Sequence, residues 1–324
     1  MGFKKMKVAL IGGVNSSYTC LKKLNQHKLD IVKVYGYKPK NLENVSSYKD
    51  LKPFCVKEKI KFKYFEKIND FSKEIQVLDI DILFVVGISQ LVNEAIINSA
   101  KIGSIGFHPT RLPKGRGRAP IAWLVNDLQD GAATFFILEE VADAGGILHQ
   151  ENFTVNKNDT AKEVEKNLID AMEIALDKLL PKLIKGWWNP KIQNELSKSE
   201  YGARKPNDGL ILWNESAASI ERLVKAAAYP HPGAFTFFGS KKVKINNAWI
   251  EEKINIKGIN GRVLKLKGNT CLVQTSNGII WIEVEDFKLY KIRVGSLLGY
   301  KTDLEIFRIK EELNKLKKII NKEN

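Results

Sequence analysis

The densest chemical signal in the sequence is a histidine followed by a loop rich in proline, glycine and arginine. His108 lies in the run GFHPTRLPKGRGRAP, which spans residues 106–120. Imidazole is the side chain that most often takes up and releases protons near neutral pH. A lone histidine is commonly structural, but one placed where a buried strand ends favours catalysis, because ligands bind at that edge of a parallel sheet.

A second signal is a loop that carries carboxylates, EEVADAGG, over residues 139–146. On its own, this segment predicts a solvated turn. In the company of His108, a carboxylate can hold the imidazole and raise its basicity, which is what acyl transfer requires. The two segments together therefore indicate acid–base chemistry.

The elements that must position these segments alternate in type along the first third of the chain. Strands are predicted at 8–11, 31–35, 82–86 and 104–107, and amphipathic helices at 18–28, 49–59, 71–78 and 91–100. Strand and helix in alternation predict an α/β fold with a doubly wound, mostly parallel sheet. The residues after Val86 and Phe107 would then lie at the ligand-binding edge.

The pattern changes in the second half of the chain. A strand at 132–138 and a long helix at 160–185 complete a first domain over residues 1–190, and a linker is predicted at 191–206. Five short β-rich runs between 235 and 284 predict a small open β-barrel of the oligonucleotide/oligosaccharide-binding (OB) type, in a domain over 207–301. The tail at 302–324 predicts an amphipathic helix for packing or dimerisation.

Composition bounds the partners and the compartment. Lys and Arg number 52 against 37 Asp and Glu, so the net charge is +15. The basic residues are scattered along the chain, which is typical of a solvated surface that attracts anions in general. Three cysteines lack the spacing of a disulfide framework or a metal site and fit a reducing cytoplasm.

Gly12-Gly13 lacks the full GxGxxG spacing, so no dinucleotide cofactor is predicted. The apolar run at 8–13 is too short for a signal peptide or a membrane span, so a cytoplasmic protein without membrane contact is expected.

In order and spacing, these motifs resemble the folate-dependent formyltransferases, which include methionyl-tRNA formyltransferase, glycinamide ribonucleotide transformylase and sugar N-formyltransferases. His108 lies where the family has its catalytic histidine in Asn-Xaa-His-Xaa-Ser-Leu-Leu-Pro, and Asp143 matches the family's aspartate. The segments 201–208 and 229–235 look like the junction and opening of the sugar enzymes' second domain. The resemblance covers nearly the whole chain and is greatest to the formyltransferase half of the bifunctional enzyme that formylates UDP-4-amino-4-deoxy-arabinose.

The resemblance implies a Rossmann-like catalytic domain, an OB-like second domain and a direct transfer reaction without a metal. The formyl group would pass from 10-formyltetrahydrofolate to the amine of a nucleotide-linked amino sugar, with a 4-amino sugar as the best candidate. His108 would shuttle the proton, and Asp143 would orient it and stabilise its charged form. The implied folate-binding residues are Gln90, Leu91, Val92, Arg118, Glu139, Glu140, Val141 and Ala142, and the implied substrate-binding residues are Thr110 and Arg204. For Leu91 and Val92, packing at the start of a helix is an equal expectation.

One departure from the family pattern keeps alternatives open. Gly106 stands where the family has an asparagine that binds the formyl oxygen, and such a donor is worth on the order of hundredfold in rate. Gly106 would either admit a water or bring a backbone N–H within reach. The alternatives are formylation of methionyl-tRNA, hydrolysis of formyltetrahydrofolate and a non-catalytic relative. A nucleic-acid partner is disfavoured, because the segment at 38–44 is short and lacks the basic insertion of the tRNA enzymes. The sequence leaves open whether the chain forms a homodimer.

Overall fold

Parallel strands of nearly continuous apolar residues build the first half of the protein. The computed structural model describes residues 5–42 and 45–323, with side chains up to residue 320. It divides the chain into two compact units, one reaching to Pro206 with Tyr229–Pro232 added, the other made of Asn207–Ala228 and the chain from Gly233.

The first unit contains a seven-stranded sheet in the order β3-β2-β1-β4-β5-β7-β8. Neighbours from β3 to β5 are parallel, and β7 and β8 are added antiparallel. The strands of this unit are β1 (Lys7–Gly12), β2 (Asp30–Tyr37), β3 (Phe62–Phe65), β4 (Ile82–Val85), β5 (Gly103–His108), β6 (Arg116–Gly117), β7 (Gly131–Ile137), β8 (Ile147–Phe153) and β9 (Glu200–Tyr201). The short strands β6 and β9 pair with each other.

Helices cover this sheet. They are α1 (Asn15–Gln26), α2 (Lys52–Lys57), α3 (Ser72–Gln76), α4 (Glu94–Ile97), α5 (Pro120–Asp127) and α6 (Ala161–Ile184), with short 3₁₀ helices at Ile68–Phe71 and Glu195–Ser197. Residues of β1 that share one face, Ala9 and Ile11, pack in a buried cluster with Ile75 of α3 and Ile96 of α4. Helix α6 packs on α1, β7 and β8.

The turn after β1 is closed by a buried serine. The Ser17 hydroxyl donates to the Val86 carbonyl over 2.6 Å and accepts from the backbone N–H groups of Gly13 and Val14 over 2.9 and 3.1 Å. A Cβ on Gly12 would lie 2.4 Å from that of Ser17, so only glycine fits there. The Gly12-Gly13 pair thus forms a tight strand-to-helix turn that joins the ends of β1 and β4.

The second unit is built on a five-stranded antiparallel sheet. Its elements are α7 (Ala217–Ala227), β10 (Ala234–Phe238), β11 (Lys241–Glu251), β12 (Val263–Lys267), β13 (Thr270–Gln274), β14 (Ile279–Val284) and α8 (Thr302–Glu323), with 3₁₀ helices at Pro206–Gly209 and Phe287–Leu289. The sheet order is β10-β11-β14-β13-β12, with β10 and β12 at its edges. Helix α7 packs on β11, and Ile220 and Val224 enter the core.

The predicted fold class is confirmed: a mostly parallel α/β sheet followed by a small antiparallel β unit. Differences appear at the helix bounds. Helix α4, a single turn, begins only at Glu94 because Asn93 caps it, accepting from the N–H of Ile96. Helix α2 begins only at Lys52 because Pro53 is tolerated in a first turn and not further inside. The elements β3, α5 and α7 were not predicted.

Residues 191–206, expected to link the domains, lie against the first unit. Lys191 forms a bridge with Ile147, and β9 pairs with β6. The Ser199 hydroxyl accepts from the N–H of Gly115 over 2.9 Å. Across the described helices, none has the length and apolar character needed to cross a membrane.

Candidate active site

The end of β5 delivers His108 into the protein interior. Its side chain is buried, and its Nε2 lies 2.8 Å from the carbonyl oxygen of Gly115 in the following loop. A carbonyl oxygen can only accept, so Nε2 carries the proton of the neutral ring. The lone pair of that ring is therefore on Nδ1.

Nδ1 faces the carboxylate of Asp143 across 3.6 Å to Oδ1. The other oxygen, Oδ2, accepts from the N–H of Gly117 over 2.9 Å. Asp143 has a φ of +56°, the left-handed region that Asp and Asn tolerate better than most residues. The loop over residues 138–146 thus returns a carboxylate to the end of β5, as the sequence predicts.

Burial and charge act on the imidazole in opposite directions. Burial lowers the pKa of His108 below its ordinary value of 6.5, while the negative charge of Asp143 and the bond to Gly115 raise it. Burial is the larger effect, so the ring is neutral at pH 7. A neutral imidazole with a lone pair beside a carboxylate is suited to take a proton, and the resulting cation would form an ion pair with Asp143.

A buried glutamine holds the loop that carries Asp143. The side-chain amide of Gln193 donates to the carbonyl oxygens of Asp143 and Gly145 over 2.8 and 2.7 Å. Its oxygen accepts from the buried guanidinium of Arg116, 2.8 Å from Nη2, and Arg116 also pairs with Glu195 over 2.6 Å. Sequence reasoning missed this support, because Gln193 falls in the segment expected to be a linker.

Gly106, two residues before His108, could carry a side chain only if its neighbours moved. A Cβ there would lie 2.7 Å from Cδ2 of Leu138 and 2.8 Å from Cζ of Phe136. Carbon atoms therefore fill the space toward which the family's asparagine would point, leaving no room on that side for the expected water.

Thr110 borders a cavity of about 240 Å³ beside the His108 loop. The lining residues are Thr110, Arg111, Lys114, Gly115, Leu124, Gln129, Asp130 and Tyr201. The Thr110 hydroxyl donates to the Lys114 carbonyl over 2.7 Å, so its proton stabilises the loop that follows His108. Gly115, which lines this cavity, also accepts from Nε2 of His108, whereas Nδ1 faces Asp143, and neither His108 nor Asp143 is among the lining residues.

Arg204 joins an aromatic stack at the rim of this cavity. Its guanidinium lies 5.1 Å from the ring centre of Trp123, which stacks on Tyr201 at 5.7 Å. Trp123 also donates to the carbonyl of Gly202 over 2.9 Å. Of the two expected substrate-binding residues, Thr110 lines the cavity together with Tyr201, and Arg204 is connected to Tyr201 through Trp123.

The residues expected to bind folate lie on two loops and one exposed turn. Gln90 uses its amide within the protein, donating to the Glu66 carbonyl over 2.7 Å and accepting from Ile68 N over 3.0 Å. Leu91 is 75% exposed, whereas Val92 packs in the apolar cluster that also contains Leu138. Glu139, Glu140, Val141 and Ala142 are exposed in the loop that leads to Asp143, and Arg118 is exposed in the loop that leads to α5. Within the described ranges, no cluster of three His, Cys, Asp or Glu side chains could hold a metal ion.

Two family models match the chain. The model described as formyl transferase matches residues 6–180, and the model described as formyl transferase, C-terminal domain, matches residues 204–291. The chain therefore belongs to the formyl transferase family, and the resemblance inferred from the motifs is confirmed.

One curated relative is similar to part of this chain. The chain is 33% identical over 201 residues to the bifunctional polymyxin resistance protein ArnA of Wigglesworthia glossinidia brevipalpis, covering 61% of this chain and 31% of that protein. It therefore spans less than a third of the length of this curated relative.

Solved structures show the same fold. One is the N-formyltransferase from Helicobacter canadensis in complex with folinic acid and dTDP-3-aminofucose, with a TM-score of 0.67 and 19% identity over 86% of this chain and 100% of that one. Another is WlaRD, a sugar 3N-formyl transferase in the presence of dTDP and 5-N-formyl-THF, with a TM-score of 0.67 and 19% identity over 87% of this chain and 99% of that one.

Replacing Gln193 by Met tests whether its amide holds the Asp143 loop. The change keeps the length of the side chain but leaves two carbonyls and Arg116 without their partner, so we expect a loss of about 1–3 kcal/mol in the free energy of unfolding. We also expect turnover to fall at least about tenfold, since a displaced catalytic group costs more than that. The control is Gln76→Met at an exposed position of α3, expected within about 0.5 kcal/mol of the parent. If Gln193→Met matches this control in urea unfolding and in turnover, the amide does not hold the loop.

Restoring the family's asparagine at Gly106 tests the packing there. We expect Gly106→Asn to transfer formyl groups no faster than the parent and to lose about 1–3 kcal/mol of stability, because the new side chain must displace Leu138 or Phe136. Gly106→Ala separates the cost of the Cβ from that of the amide. A gain of about tenfold or more in the rate of transfer by the asparagine variant would contradict this reasoning.

Proposed function

We propose that this protein transfers the formyl group of 10-formyltetrahydrofolate to the amine of a nucleotide-linked amino sugar. The observation that carries the proposal is the buried His108, whose Nε2 lies 2.8 Å from the Gly115 carbonyl and whose Nδ1 faces Asp143 across 3.6 Å, with burial lowering the pKa of the ring. Membership of the formyl transferase family gives this pair its reaction.

The proposed reaction is direct transfer. The amine nitrogen of the acceptor attacks the formyl carbon, and a bond forms between them while the carbonyl becomes an oxyanion. Nδ1 of His108 accepts the proton that the attacking amine must lose, and Asp143 stabilises the imidazolium. The bond from the formyl carbon to the folate nitrogen then breaks, and that nitrogen receives the proton from His108. As that bond breaks, the electron pair of the oxyanion re-forms the carbonyl, so each proton and electron pair is accounted for without a metal.

The cavity supports a phosphorylated acceptor. Lys114 and Arg111 bring positive charge to its lining, although Arg111 lies 3.4 Å from the carboxylate of Asp130 in the same lining. Arg204 stands over the ring of Trp123. A nucleotide diphosphate is an anion, and guanidinium groups bind phosphate in a bidentate manner. We therefore propose that Thr110 and Arg204 border the nucleotide-sugar site.

The finer assignment to a 4-amino sugar rests on the similarity to the enzyme that formylates UDP-4-amino-4-deoxy-arabinose, and the 33% identity to ArnA supports it. The two solved relatives named above are described with 3-amino or 3N substrates, so both positions belong in the test.

The folate pocket is proposed at the two loops that follow β4 and β7. It would comprise Gln90, Leu91, Val92 and the segment 139–142, with Arg118 at its junction with the acceptor. Exposed backbone groups in the loop before Asp143 suit the pairing edge of a pterin ring. A cytoplasmic location is part of the same proposal, because the three cysteines are free and buried.

An acceptor panel tests the proposed function. The protein is mixed with 10-formyltetrahydrofolate and, separately, UDP- and dTDP-linked 3-amino and 4-amino sugars, charged initiator tRNA, or no acceptor. We expect formylated product only with a sugar, and the fastest turnover with a 4-amino sugar. Formylated tRNA would favour the tRNA enzymes, and equal release of tetrahydrofolate without acceptor would favour a hydrolase.

Variants of the catalytic pair test the mechanism. We expect His108→Asn and Asp143→Asn each to lower transfer at least about hundredfold while folate still binds. Asparagine is the matched change at Asp143, because it keeps the shape of the side chain and tolerates a positive φ. Near-normal turnover in either variant would remove that residue from the mechanism.

The pH dependence gives an independent check. His108 must be neutral to accept a proton, and burial lowers its pKa, so kcat/KM should be full at pH 7 and fall only as the pH drops below about 6.5. Asp143→Asn removes the charge that raises this pKa, so the midpoint of the acid limb should move to lower pH. The control is Asp177→Asn, which alters a carboxylate beside a different histidine, His27, and should leave the limb in place. A midpoint that rises in Asp143→Asn would contradict the assignment.

A further inference from the structure

The last helix of the chain exposes an apolar surface along its whole length. Five residues of α8 each leave between 46% and 62% of their surface exposed: Ile306, Ile309, Leu313, Leu316 and Ile320. A continuous apolar face of this kind on a folded protein usually marks an interaction surface.

The spacing of these five residues is regular. They follow one another at intervals of three, four, three and four, which is the a and d pattern of a heptad repeat. A period of 3.5 residues keeps an apolar stripe in place only when helices wind around each other with a left-handed twist. The stripe therefore fits another helix of the same period better than a flat surface.

The charges beside the stripe select the partner and its direction. With Ile306 at position a, Glu305 and Glu312 occupy the g positions, and Lys310 and Lys317 occupy the e positions. In a parallel, in-register pair of identical helices, each g residue faces the e residue five places later in the partner. Glu305 would then face the partner's Lys310, and Glu312 the partner's Lys317. An antiparallel pair would set Glu against Glu and Lys against Lys.

We propose that α8 forms a parallel, in-register coiled coil with α8 of a second copy of this chain. A lipid surface is a poorer occupant, because helices that lie on anionic membranes are flanked by basic residues, whereas only one border of this stripe is basic and Glu305 and Glu312 occupy the other. Glu305 pairs with the exposed Arg308 over 3.2 Å, and such an exposed pair is weak enough to exchange. The association is independent of the formyl transfer proposed above.

Cysteine cross-linking tests the direction and register. The I320C variant places a thiol near the end of the stripe, where a parallel pair brings the two copies of residue 320 together and an antiparallel pair separates them. The K318C variant, on the outward side of α8, is the matched control, and the three native cysteines are buried. Under mild oxidation, we expect at least about tenfold more covalent dimer from I320C than from K318C. Equal cross-linking would overturn the proposal.

Charge exchange tests the partner. One variant carries K310E and K317E, and a second carries E305K and E312K, so each alone places like charges across the interface. By sedimentation, we expect each variant to have half the mass of the parent, and an equimolar mixture to recover the parent's mass. Circular dichroism of each variant checks that it remains folded.

Several outcomes would overturn the proposal. Variants that keep the parent's mass would show that α8 does not hold the copies together, and a mixture that fails to recover would exclude the g-to-e pairing. A parent that is monomeric in solution and co-sediments with phosphatidylglycerol vesicles would assign the stripe to a lipid surface.

Discussion

The proposed chemistry depends on the hydrogen bond from Nε2 of His108 to the carbonyl of Gly115. That bond fixes the tautomer of a buried ring, because the carbonyl can only accept, and so leaves the lone pair on Nδ1. Everything else in the site follows from this choice. Asp143 can stabilise the charged ring by direct contact because Nδ1 is the atom that gains the proton. The two atoms lie 3.6 Å apart, so the imidazolium would form an ion pair with the carboxylate.

The pair is held by parts of the chain that are distant in sequence. Gly115 and Gly117 come from the loop after β5, Asp143 from the loop between β7 and β8, and Gln193 from the segment that follows α6. The bonds made by Gly115 and Gln193 are buried or partly buried, and such bonds are costly to break because the groups left behind lack water, whereas the bond from Gly117 is exposed. The positive φ of Asp143 is maintained by this frame.

The sequence predicted the central sheet and the pairing of His108 with the Asp143 loop. A long apolar run such as that of β1 forms a buried strand whatever its neighbours are, so it can be predicted locally. The family motifs give the site residues in a known order along the chain, so these could also be predicted. Gln193 could not be found in the same way, because nothing local distinguishes a glutamine that braces a loop from one in a linker. The predicted helix at 91–100 was longer than α4. Leu91 and Val92 continue the apolar period of the helix, but Asn93 caps it, so the helix begins after them. Helix α7 was missed despite its cap at Ser216 and its apolar residues Ile220 and Val224, which were available signals.

The state of the His108 ring can be measured directly by nitrogen NMR of protein labelled with ¹⁵N-histidine. The chain has four histidines, and the spectrum of His108→Asn identifies the signals of His108 by their absence. The account predicts a neutral ring at pH 7 with the proton on Nε2 and none on Nδ1. A ring protonated on Nδ1, or on both nitrogens at that pH, would contradict it.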